Sequence, residues 1–271
     1  MNIKTLIAGA MITLSIFTFS CSKKKEQIVI KGSSTVLPIA MALAEVFADK
    51  HGIAISVTGT GSANGITALI DGTCDIANSS RAMTPEELDQ AISRGIDILE
   101  TPIAYDMVVP IVHPSNNVNN LYLGQIQEIY RGAITNWGQV GGEHSNIVVT
   151  SRDSSSGTFS IWYKIVIKKE EITRKAMLQA TNGTMVYAVS SNPNAIGYIS
   201  YGYLDKSVKA VSINNVKPTI QNCINGTYPV SRKLYMYTDK KRLKKETQDF
   251  IDFTVSEEGK TLLQKAGFIP R

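Results

Sequence analysis

Three short segments rich in Ser, Thr and Gly each join a predicted strand to a predicted helix. They are residues 32–35 (Gly-Ser-Ser-Thr), 59–65 (Gly-Thr-Gly-Ser-Ala-Asn-Gly) and 152–158 (Arg-Asp-Ser-Ser-Ser-Gly-Thr). The first N–H groups of a helix have no partner within the helix, and together with the helix dipole they favour an oxyanion. Hydroxyl groups add neutral donors, and glycine lets a ligand come close to the backbone. The three segments therefore predict an oxyanion-binding site.

Two arginines lie near these segments and are able to pair with a tetrahedral oxyanion. Arg152 opens the third segment, and Arg81 follows a predicted strand at residues 74–77. A guanidinium donates two parallel hydrogen bonds to such an anion. A single junction is more simply interpreted as a helix cap, and a single arginine as half of an ion pair, for instance with Asp75 or Asp153. Three junctions in one chain favour binding over capping alone.

The order of the predicted elements indicates an α/β fold. Apolar or β-branched stretches alternate with amphipathic helical patterns, which is typical of α/β layers around a mainly parallel sheet. The apolar run 96–112 predicts either two strands in succession or one strand that crosses between two lobes. A capping-box sequence at Thr84 predicts a helix start there. The main predicted helices are residues 38–50, 65–70, 84–93, 157–167, 185–191 and 242–253.

The first 26 residues indicate export and anchoring. A single positive charge precedes the apolar run 6–19, which is short for a membrane span, and Cys21 follows at once. A cysteine in this position resembles the lipobox of bacterial lipoproteins, although an ordinary secretory signal or an uncleaved anchor remains an alternative. The sequence predicts a lipoprotein signal peptide at residues 1–20. It also predicts an acylated Cys21 with a polar tether at 21–26, attached to the lipid bilayer.

The remaining reactive residue types do not favour catalysis. A hydrolase or phosphatase would need a base for a serine nucleophile within residues 154–156. The histidines, His51, His113 and His144, fall in predicted loops or at element ends, and none lies in a Gly-x-Ser-x-Gly setting. No grouping resembles a zinc or two-metal site. The sequence predicts a protein that is not an enzyme and has no cofactor and no metal.

The charge and the cysteine content of the chain bear on its partners and on disulfide formation. The formal net charge is +5, and the basic runs 23–25 and 240–245 do not suggest a nucleic-acid surface. Cys74 and Cys223 are able to pair in an oxidising compartment, but Cys74 lies in an apolar pattern that equally suits a buried free thiol. No nucleic-acid partner is predicted, and the chain is expected to be a monomer.

Taken in order, several of these segments resemble the phosphate-binding protein of the bacterial phosphate-specific ABC transporter. The similarity covers nearly the whole chain after the signal. The motifs that carry it are Gly-Ser-Ser-Thr-Val-Leu-Pro at 32–38, Gly-Ser-Ala-Asn-Gly at 61–65, Asp-Ile-Ala-Asn-Ser-Ser-Arg at 75–81, Tyr-Arg-Gly-Ala-Ile-Thr-Asn-Trp at 130–137, Arg-Asp-Ser-Ser-Ser-Gly-Thr at 152–158, Asn-Ala-Ile-Gly-Tyr at 194–198, Ser-Glu-Glu-Gly at 256–259 and Gly-Phe-Ile-Pro at 267–270.

The resemblance implies a two-lobed periplasmic-binding-protein fold of type II, with a sheet and flanking helices in each lobe and the ligand cleft between them. Lobe 1 would comprise residues 27–106 plus 233–271, and lobe 2 residues 107–232. The family's ligand contacts fall on the following residues of this sequence: Ser34, Thr35, Val36 (through its backbone N–H), Ser62, Ser80, Arg81, Arg152, Ser156, Gly157 and Thr158.

One position departs from part of the family. Some members have an Asp where Ser80 stands, and that carboxylate accepts the proton of hydrogen phosphate and repels sulfate. A carboxylate acceptor excludes sulfate physically, because two acceptors facing each other without a proton are costly in a dry site. Without it, Asp75, Asp106, Asp153 or the hydroxyl and carbonyl groups are the candidate acceptors.

The resemblance also implies a function and partners. The chain would capture inorganic phosphate by hinge closure and deliver it to the membrane permease subunits of an ABC importer. A binding protein for sulfate or molybdate, and a surface adhesin or sensor on the same fold, remain alternatives because function depends on the site and not on the fold.

Overall fold

The computed structural model describes residues 27–271, so the predicted signal peptide, Cys21 and tether lie outside the described residues. Strands and helices alternate through the first half of this region. In chain order they are β1 (Gln27–Gly32), α1 (Leu37–His51), β2 (Ala54–Thr58), α2 (Ser62–Ile70), β3 (Ile76–Ser79), α3 (Pro85–Ser93), β4 (Ile98–Val112), β5 (Asn120–Leu121), α4 (Leu123–Arg131), β6 (Val148–Arg152) and α5 (Gly157–Ile165).

The second half continues the alternation and closes with two helices and a short strand. Its elements are β7 (Met177–Gln179), α6 (Asn182–Ser190), β8 (Ala195–Ser200), β9 (Lys209–Ala210), β10 (Ser212–Ile213), α7 (Ile220–Ile224), β11 (Ser231–Asp239), α8 (Lys245–Val255), α9 (Glu257–Lys265) and β12 (Ile269–Pro270). The predicted α/β class is confirmed. No helix within residues 27–271 combines the length and the apolar character needed to cross a membrane.

The main sheet has its parallel strands on the outside and its antiparallel strands at the centre. Its ten strands follow the order β2-β1-β3-β11-β4-β8-β6-β7, with β9 and β12 pairing beside β4. β1 is parallel to β2 and β3, and β6 is parallel to β7 and β8. β11 is antiparallel to β3 and β4, and β4 is antiparallel to β8. The prediction of a mainly parallel sheet was therefore wrong at the centre, where β4 and β11 run in opposite directions.

β4 links the two halves of the sheet. Its residues 98–107 pair with β11, and its residues 108–112 pair with β8. Of the two alternatives for the apolar run 96–112, one strand crossing between lobes is confirmed. The side chains from Met107 to Val112 are buried, as is typical of a strand whose sheet is covered on both faces.

Separate hydrophobic cores lie on either side of this crossing. Phe47 and Phe250 meet edge to face in the core formed by β1, β11, α1 and α8, with ring centroids 5.3 Å apart. Tyr130, Trp162 and Tyr198 pack together in the other core, where Trp162 stacks on Tyr198 at 4.5 Å. Each core brings one group of helix N-termini to the space between the halves.

Several boundaries differ from the predictions. α2 begins at Ser62 and not at Gly65, because Gly61 adopts φ +124° and turns the chain directly into the helix. α6 begins at Asn182, and the predicted strand at 74–77 lies at 76–79. α8 begins later than predicted because Arg242 pairs with Asp239 in the preceding turn. The helix predicted from the capping box of Thr84 is confirmed, with both reciprocal bonds present.

Both described cysteines are free and buried. Burial raises the pKa of the Cys74 thiol to about 12, and it also raises the pKa of the Cys223 thiol. Cys74 packs in a cluster with Ile66 and Leu69, and Cys223 packs in the core that contains Trp162, so the two thiols are in different halves of the molecule. Of the two alternatives for these residues, the buried free thiol agrees with the structure.

We expect neither thiol to react readily with an aromatic disulfide reagent at neutral pH, because the reactive form is the thiolate and both groups are buried. Thiol titration of the chain beginning at Ser22 should give two slow equivalents that become fast on unfolding. Rapid labelling of the folded protein, or a mass two protons lower than the reduced chain, would contradict this.

Phe250→Ala should lower the free energy of unfolding by about 3–5 kcal/mol, because it leaves a cavity beside Phe47 in a closed core. Urea denaturation followed by circular dichroism measures the change. Val255→Ala, at the 40% exposed last residue of the same helix, is the control and should alter the free energy by less than about 1 kcal/mol. An equal effect of the two substitutions would contradict the placement of Phe250 in the core.

Candidate functional site

The N-termini of α1, α2 and α5 meet between the two halves of the molecule. Each helix follows one of the three Ser/Thr/Gly segments, as the sequence predicted. At the first segment Gly32 has φ +137° and lies against the Asn78 carbonyl, so a side chain would not fit. The Ser33 hydroxyl accepts the backbone N–H of Thr35 at 3.1 Å and that of Val36 at 3.4 Å. Ser33 therefore caps the chain, and the side chains of the next two residues are free to face the cleft.

The second and third segments meet at Gly157. The Ser62 hydroxyl accepts the Ser80 backbone N–H at 3.0 Å, and the two hydroxyl oxygens are 3.3 Å apart. A Cβ atom on Gly157 would lie 2.4 Å from the Ser62 hydroxyl and 2.5 Å from the Ser80 hydroxyl. Ser156 caps α5 by accepting the Phe159 N–H. The absence of a side chain at Gly157 lets the two halves approach this closely.

Arg152 stands at the end of β6 and is 1% exposed. Its guanidinium donates to the carbonyls of Gln179 (2.9 Å) and Ala180 (2.8 Å) and to the hydroxyl of Ser34 (3.2 Å). Its Nη1 is buried and has no partner among the described residues. Burial lowers the pKa of Arg152, although nearby Asp153 partly opposes that effect. The group is a buried cation held by neutral partners.

A second buried arginine lies beside the site and was missed by the sequence analysis. Arg232 of β11 faces Asp106 of β4 and donates to its Oδ2 through Nε (2.8 Å) and Nη2 (2.7 Å). Arg232 also donates to the hydroxyls of Thr158 (3.0 Å) and Thr35 (3.3 Å). The sequence held a signal: Arg232, Leu234 and Met236 occupy alternate positions of β11, so period two places Arg232 on the same face as two apolar side chains.

Arg81 has different partners from the other predicted residues. Its Nη1 and Nη2 form a bidentate pair with Glu87 at 2.7 and 2.6 Å, and Nη1 also donates to the Ala82 carbonyl. The ion pair expected for an isolated arginine is thus present, but with Glu87 and not with Asp75 or Asp153. Glu87 is the capping-box residue of α3, so one carboxylate holds both the helix start and Arg81.

Further contacts join the two halves around these residues. The Ala63 N–H donates to the Ser155 carbonyl at 3.1 Å, and the Tyr203 hydroxyl donates to the Ser34 carbonyl at 2.6 Å. Thr35 and Thr158, from opposite halves, have their hydroxyl oxygens 3.1 Å apart. The halves are therefore closed on each other, with the buried hydroxyls and arginines between them.

The residues considered for an enzyme or a metal site have other environments. His51 stacks on Phe47, and His113 bonds with Ser115. The Ser155 hydroxyl bonds with Asp153, and that of Ser156 caps α5. Across residues 27–271 no group of His, Cys, Asp or Glu side chains is arranged to hold a metal ion.

Comparison with known proteins identifies the class of protein to which this chain belongs. A family model described as the PBP superfamily domain matches residues 20–258. The phosphate-binding protein PstS of Borreliella burgdorferi is 30% identical over 98% of this chain and 98% of its own length. PstS of Staphylococcus saprophyticus is 34% identical over 88% of this chain and 78% of its own length.

A solved structure agrees with these sequences. A Clostridium perfringens protein, described as a phosphate ABC transporter substrate-binding protein with bound phosphate, is 37% identical. It superposes with a TM-score of 0.86 over 91% of this chain and 100% of its own. The chain therefore belongs to the PBP superfamily and, within it, to the phosphate-binding proteins of phosphate ABC transporters. Its fold is the type II two-lobed fold expected from the resemblance, and its relatives are substrate-binding proteins, not enzymes.

Gly157→Ala should keep the halves apart, because its methyl group would overlap the hydroxyls of Ser62 and Ser80. Small-angle scattering with excess phosphate should give a larger radius of gyration than for the wild type. Unfolding should be little changed, since alanine suits a helix better than glycine. Gly183→Ala, whose nearest neighbour would lie 3.8 Å away, is the control and should close normally. A compact Gly157→Ala variant would contradict the geometry.

Proposed function

We propose that the chain binds inorganic phosphate between its lobes and presents it to an ABC importer. The observation that carries this proposal is Arg152, a buried guanidinium with an unpartnered Nη1 and no charged hydrogen-bond partner among residues 27–271. A buried charge without a counterion costs several kcal/mol, and the cleft supplies none to Arg152. An anion between the lobes removes that cost. The phosphate named for the Clostridium perfringens relative supports the choice of anion.

The proposed ligand set comes from both lobes. Its members are all buried and near at least one other member of the set. Ser34, Thr35, Ser62 and Ser80 lie on one side, and Arg152, Ser156, Gly157 and Thr158 on the other. Val36 would contribute its backbone N–H, which now makes only a long bond to Ser33. Arg81 stays in the proposed set on the first side: Glu87 binds its Nη1 and Nη2, but its Nε is buried and has no partner among the described residues.

Hinge closure is the proposed mechanism. Lobe 1 would comprise residues 27–106 plus 233–271 and lobe 2 residues 107–232, divided where β4 and β11 pass between the two cores. Phosphate touches both lobes only when they are closed, so it stabilises the closed form by its differential affinity. No bond is made or broken in the ligand.

The family acts outside the cytoplasm. Two further assignments for this chain are a lipid anchor and docking on a membrane permease. Acylation of Cys21 after removal of residues 1–20 would anchor the protein to the bilayer, with residues 21–26 as a tether. The closed protein would then dock on the membrane permease subunits as a monomer. Treatment of cells with labelled palmitate tests the anchor, since Cys21→Ser should release the protein and remove the label. Retention of the label in that variant would contradict the assignment.

The affinity of Arg152 variants tests the proposed site. Isothermal titration of the chain from Ser22 onward, stripped of endogenous ligand by reversible unfolding, should show saturable one-to-one phosphate binding. Arg152→Ala should weaken binding by about 3 kcal/mol, or roughly a hundredfold, because charged hydrogen bonds to the anion are lost. Arg174→Ala, at an arginine with a 92% exposed side chain, should bind normally.

Different outcomes separate the alternatives. Heat from sulfate or molybdate but none from phosphate would replace the ligand and keep the receptor. Absence of binding by all three anions would overturn the proposal and favour an adhesin or sensor. Turnover of a phosphate monoester would overturn it in favour of an enzyme.

A further inference from the structure

Arg232 and Asp106 form a buried ion pair on the two strands that pass between the lobes. Their side chains are 2% and 1% exposed, and they are direct neighbours across β11 and β4. The pair is neutral as a whole, unlike Arg152. We infer that Arg232 is a specificity-determining residue, an inference that rests on the proposed function. Arg232 fills one lone pair on each of the Thr35 and Thr158 hydroxyls, so that this corner of the site favours unprotonated ligand oxygens.

Asn182 has an orientation that its neighbours determine. Its Oδ1 accepts the Ser200 backbone N–H at 3.2 Å, and a backbone N–H is only a donor. The other end of the amide, Nδ2, must therefore face Thr35, whose hydroxyl oxygen lies 3.1 Å away. Asn182 is thus a donor to Thr35.

Thr35 has both of its acceptor positions occupied. A hydroxyl oxygen has two lone pairs and one proton. One lone pair of Thr35 accepts from Asn182 and the other from Arg232 Nη2. Thr35 has no capacity left to accept a proton from a ligand, and its own O–H must donate outward.

The Thr35 proton has two possible directions, of which one leads to Thr158. When the Thr35 O–H points to Thr158, at 3.1 Å, one lone pair of Thr158 is filled by it. Arg232 Nη1 fills the other at 3.0 Å, so the Thr158 O–H must donate to the ligand. When the Thr35 O–H points to the ligand instead, Thr35 is itself the donor, and Thr158, which accepts only from Arg232 Nη1, keeps one lone pair. In both arrangements this corner of the site presents an O–H to an unprotonated oxygen.

Asp106 is the positioning residue for Arg232 and has no free acceptor for the ligand. Its Oδ2 receives two N–H groups from Arg232. Its Oδ1 receives the Ser200 hydroxyl at 2.9 Å and the Tyr201 N–H at 3.2 Å. The other carboxylates considered as acceptors are also engaged: Asp153 holds Ser155, and Asp75 holds Val29 and Lys244.

A preference for the more ionised ligand follows at this corner. A proton on the ligand finds an acceptor at this corner only in the second arrangement, where Thr158 keeps one lone pair, whereas an unprotonated oxygen is bound in both arrangements. Sulfate, which carries no proton at neutral pH, is not rejected by Thr35 or Thr158. Phosphate should bind more tightly as it loses its second proton.

The charged and titratable groups that face this corner, within the described residues, are few. They are Arg152, Arg232, Asp106, Asp153, Tyr198 and Tyr203. Burial raises the pKa of Tyr198 and that of Tyr203 to about 12, so both stay neutral in the range of interest. Sulfate does not titrate there, so its binding in the same buffers reports any titration of the protein itself.

The test is calorimetry with inorganic phosphate and with sulfate from about pH 6 to about pH 8, where the second phosphate ionisation falls. The wild type should bind phosphate increasingly tightly across this range and bind sulfate with a constant Kd. Arg232→Met combined with Asp106→Asn removes the N–H donors and the balancing charge together, so no uncompensated buried charge remains. The amide introduced at position 106 is expected to keep an acceptor for Ser200 and Tyr201.

In this double variant the threonines regain the capacity to accept. Sulfate affinity should fall about tenfold, the effect of one charged hydrogen bond. Phosphate affinity should fall less, and its dependence on pH should flatten. Arg232→Lys keeps the charge but cannot reach Asp106 and both threonines together. Its sulfate affinity and the pH dependence of its phosphate affinity should therefore fall as in the double variant. Thermal melts confirm that each variant is folded.

If the double variant loses affinity for phosphate and sulfate equally and keeps the wild-type pH dependence, the inference would be overturned. The Arg232–Asp106 pair would then be purely structural. A wild type whose phosphate affinity does not rise with pH would also overturn it, while leaving phosphate binding intact. If the wild type binds neither phosphate nor sulfate, the proposed function itself would be overturned.

Discussion

The structure depends on one electrostatic constraint, which is the burial of the Arg152 charge without a hydrogen-bonded carboxylate among residues 27–271. Two carbonyls from the segment before α6 and the Ser34 hydroxyl from the opposite lobe hold the group in one orientation. Removing a guanidinium from water is costly, and neutral partners offset only part of that cost. The surrounding helix N-termini and hydroxyls are donors as well. The cleft is therefore lined by donors, which suits the anion that we propose to lie within it.

Arg152 and Arg232 have different roles because their charges are balanced differently. Arg232 has Asp106 beside it and adds no net charge, so its effect is on the direction of neighbouring hydroxyl groups. Arg152 supplies the net charge. Separating attraction from orientation in this way lets affinity and selectivity change independently: a substitution at one arginine need not alter what the other provides. The pair lies on β4 and β11, the two strands that pass between the lobes, and so it does not belong to one lobe alone.

Sequence patterns predicted local features well and long-range pairings poorly. The three junctions and the α3 capping box were predictable because each depends on residues close together in the chain, whereas the single crossing strand was one of two alternatives for residues 96–112. The sheet order was not predictable, since β11 pairs with β3 and β4 from more than a hundred residues away. Arg232 was missed for the same reason: its partner Asp106 is 126 residues distant. Arg81 forms the ion pair expected of an isolated arginine, with Glu87 in the first turn of the next helix, and its contact with the ligand stays a prediction.

The contact between Ala63 and Ser155 has a consequence for the population of empty molecules. It is a main-chain hydrogen bond between lobes that involves no ligand atom, so an empty molecule also gains it on closing. Part of the free energy of closing then comes from the protein itself. A receptor of this kind keeps a larger fraction of its unoccupied molecules in the binding-competent shape, and its apparent dissociation constant exceeds the intrinsic one by a smaller factor. The same bond makes the occupied and empty forms harder to distinguish by shape alone.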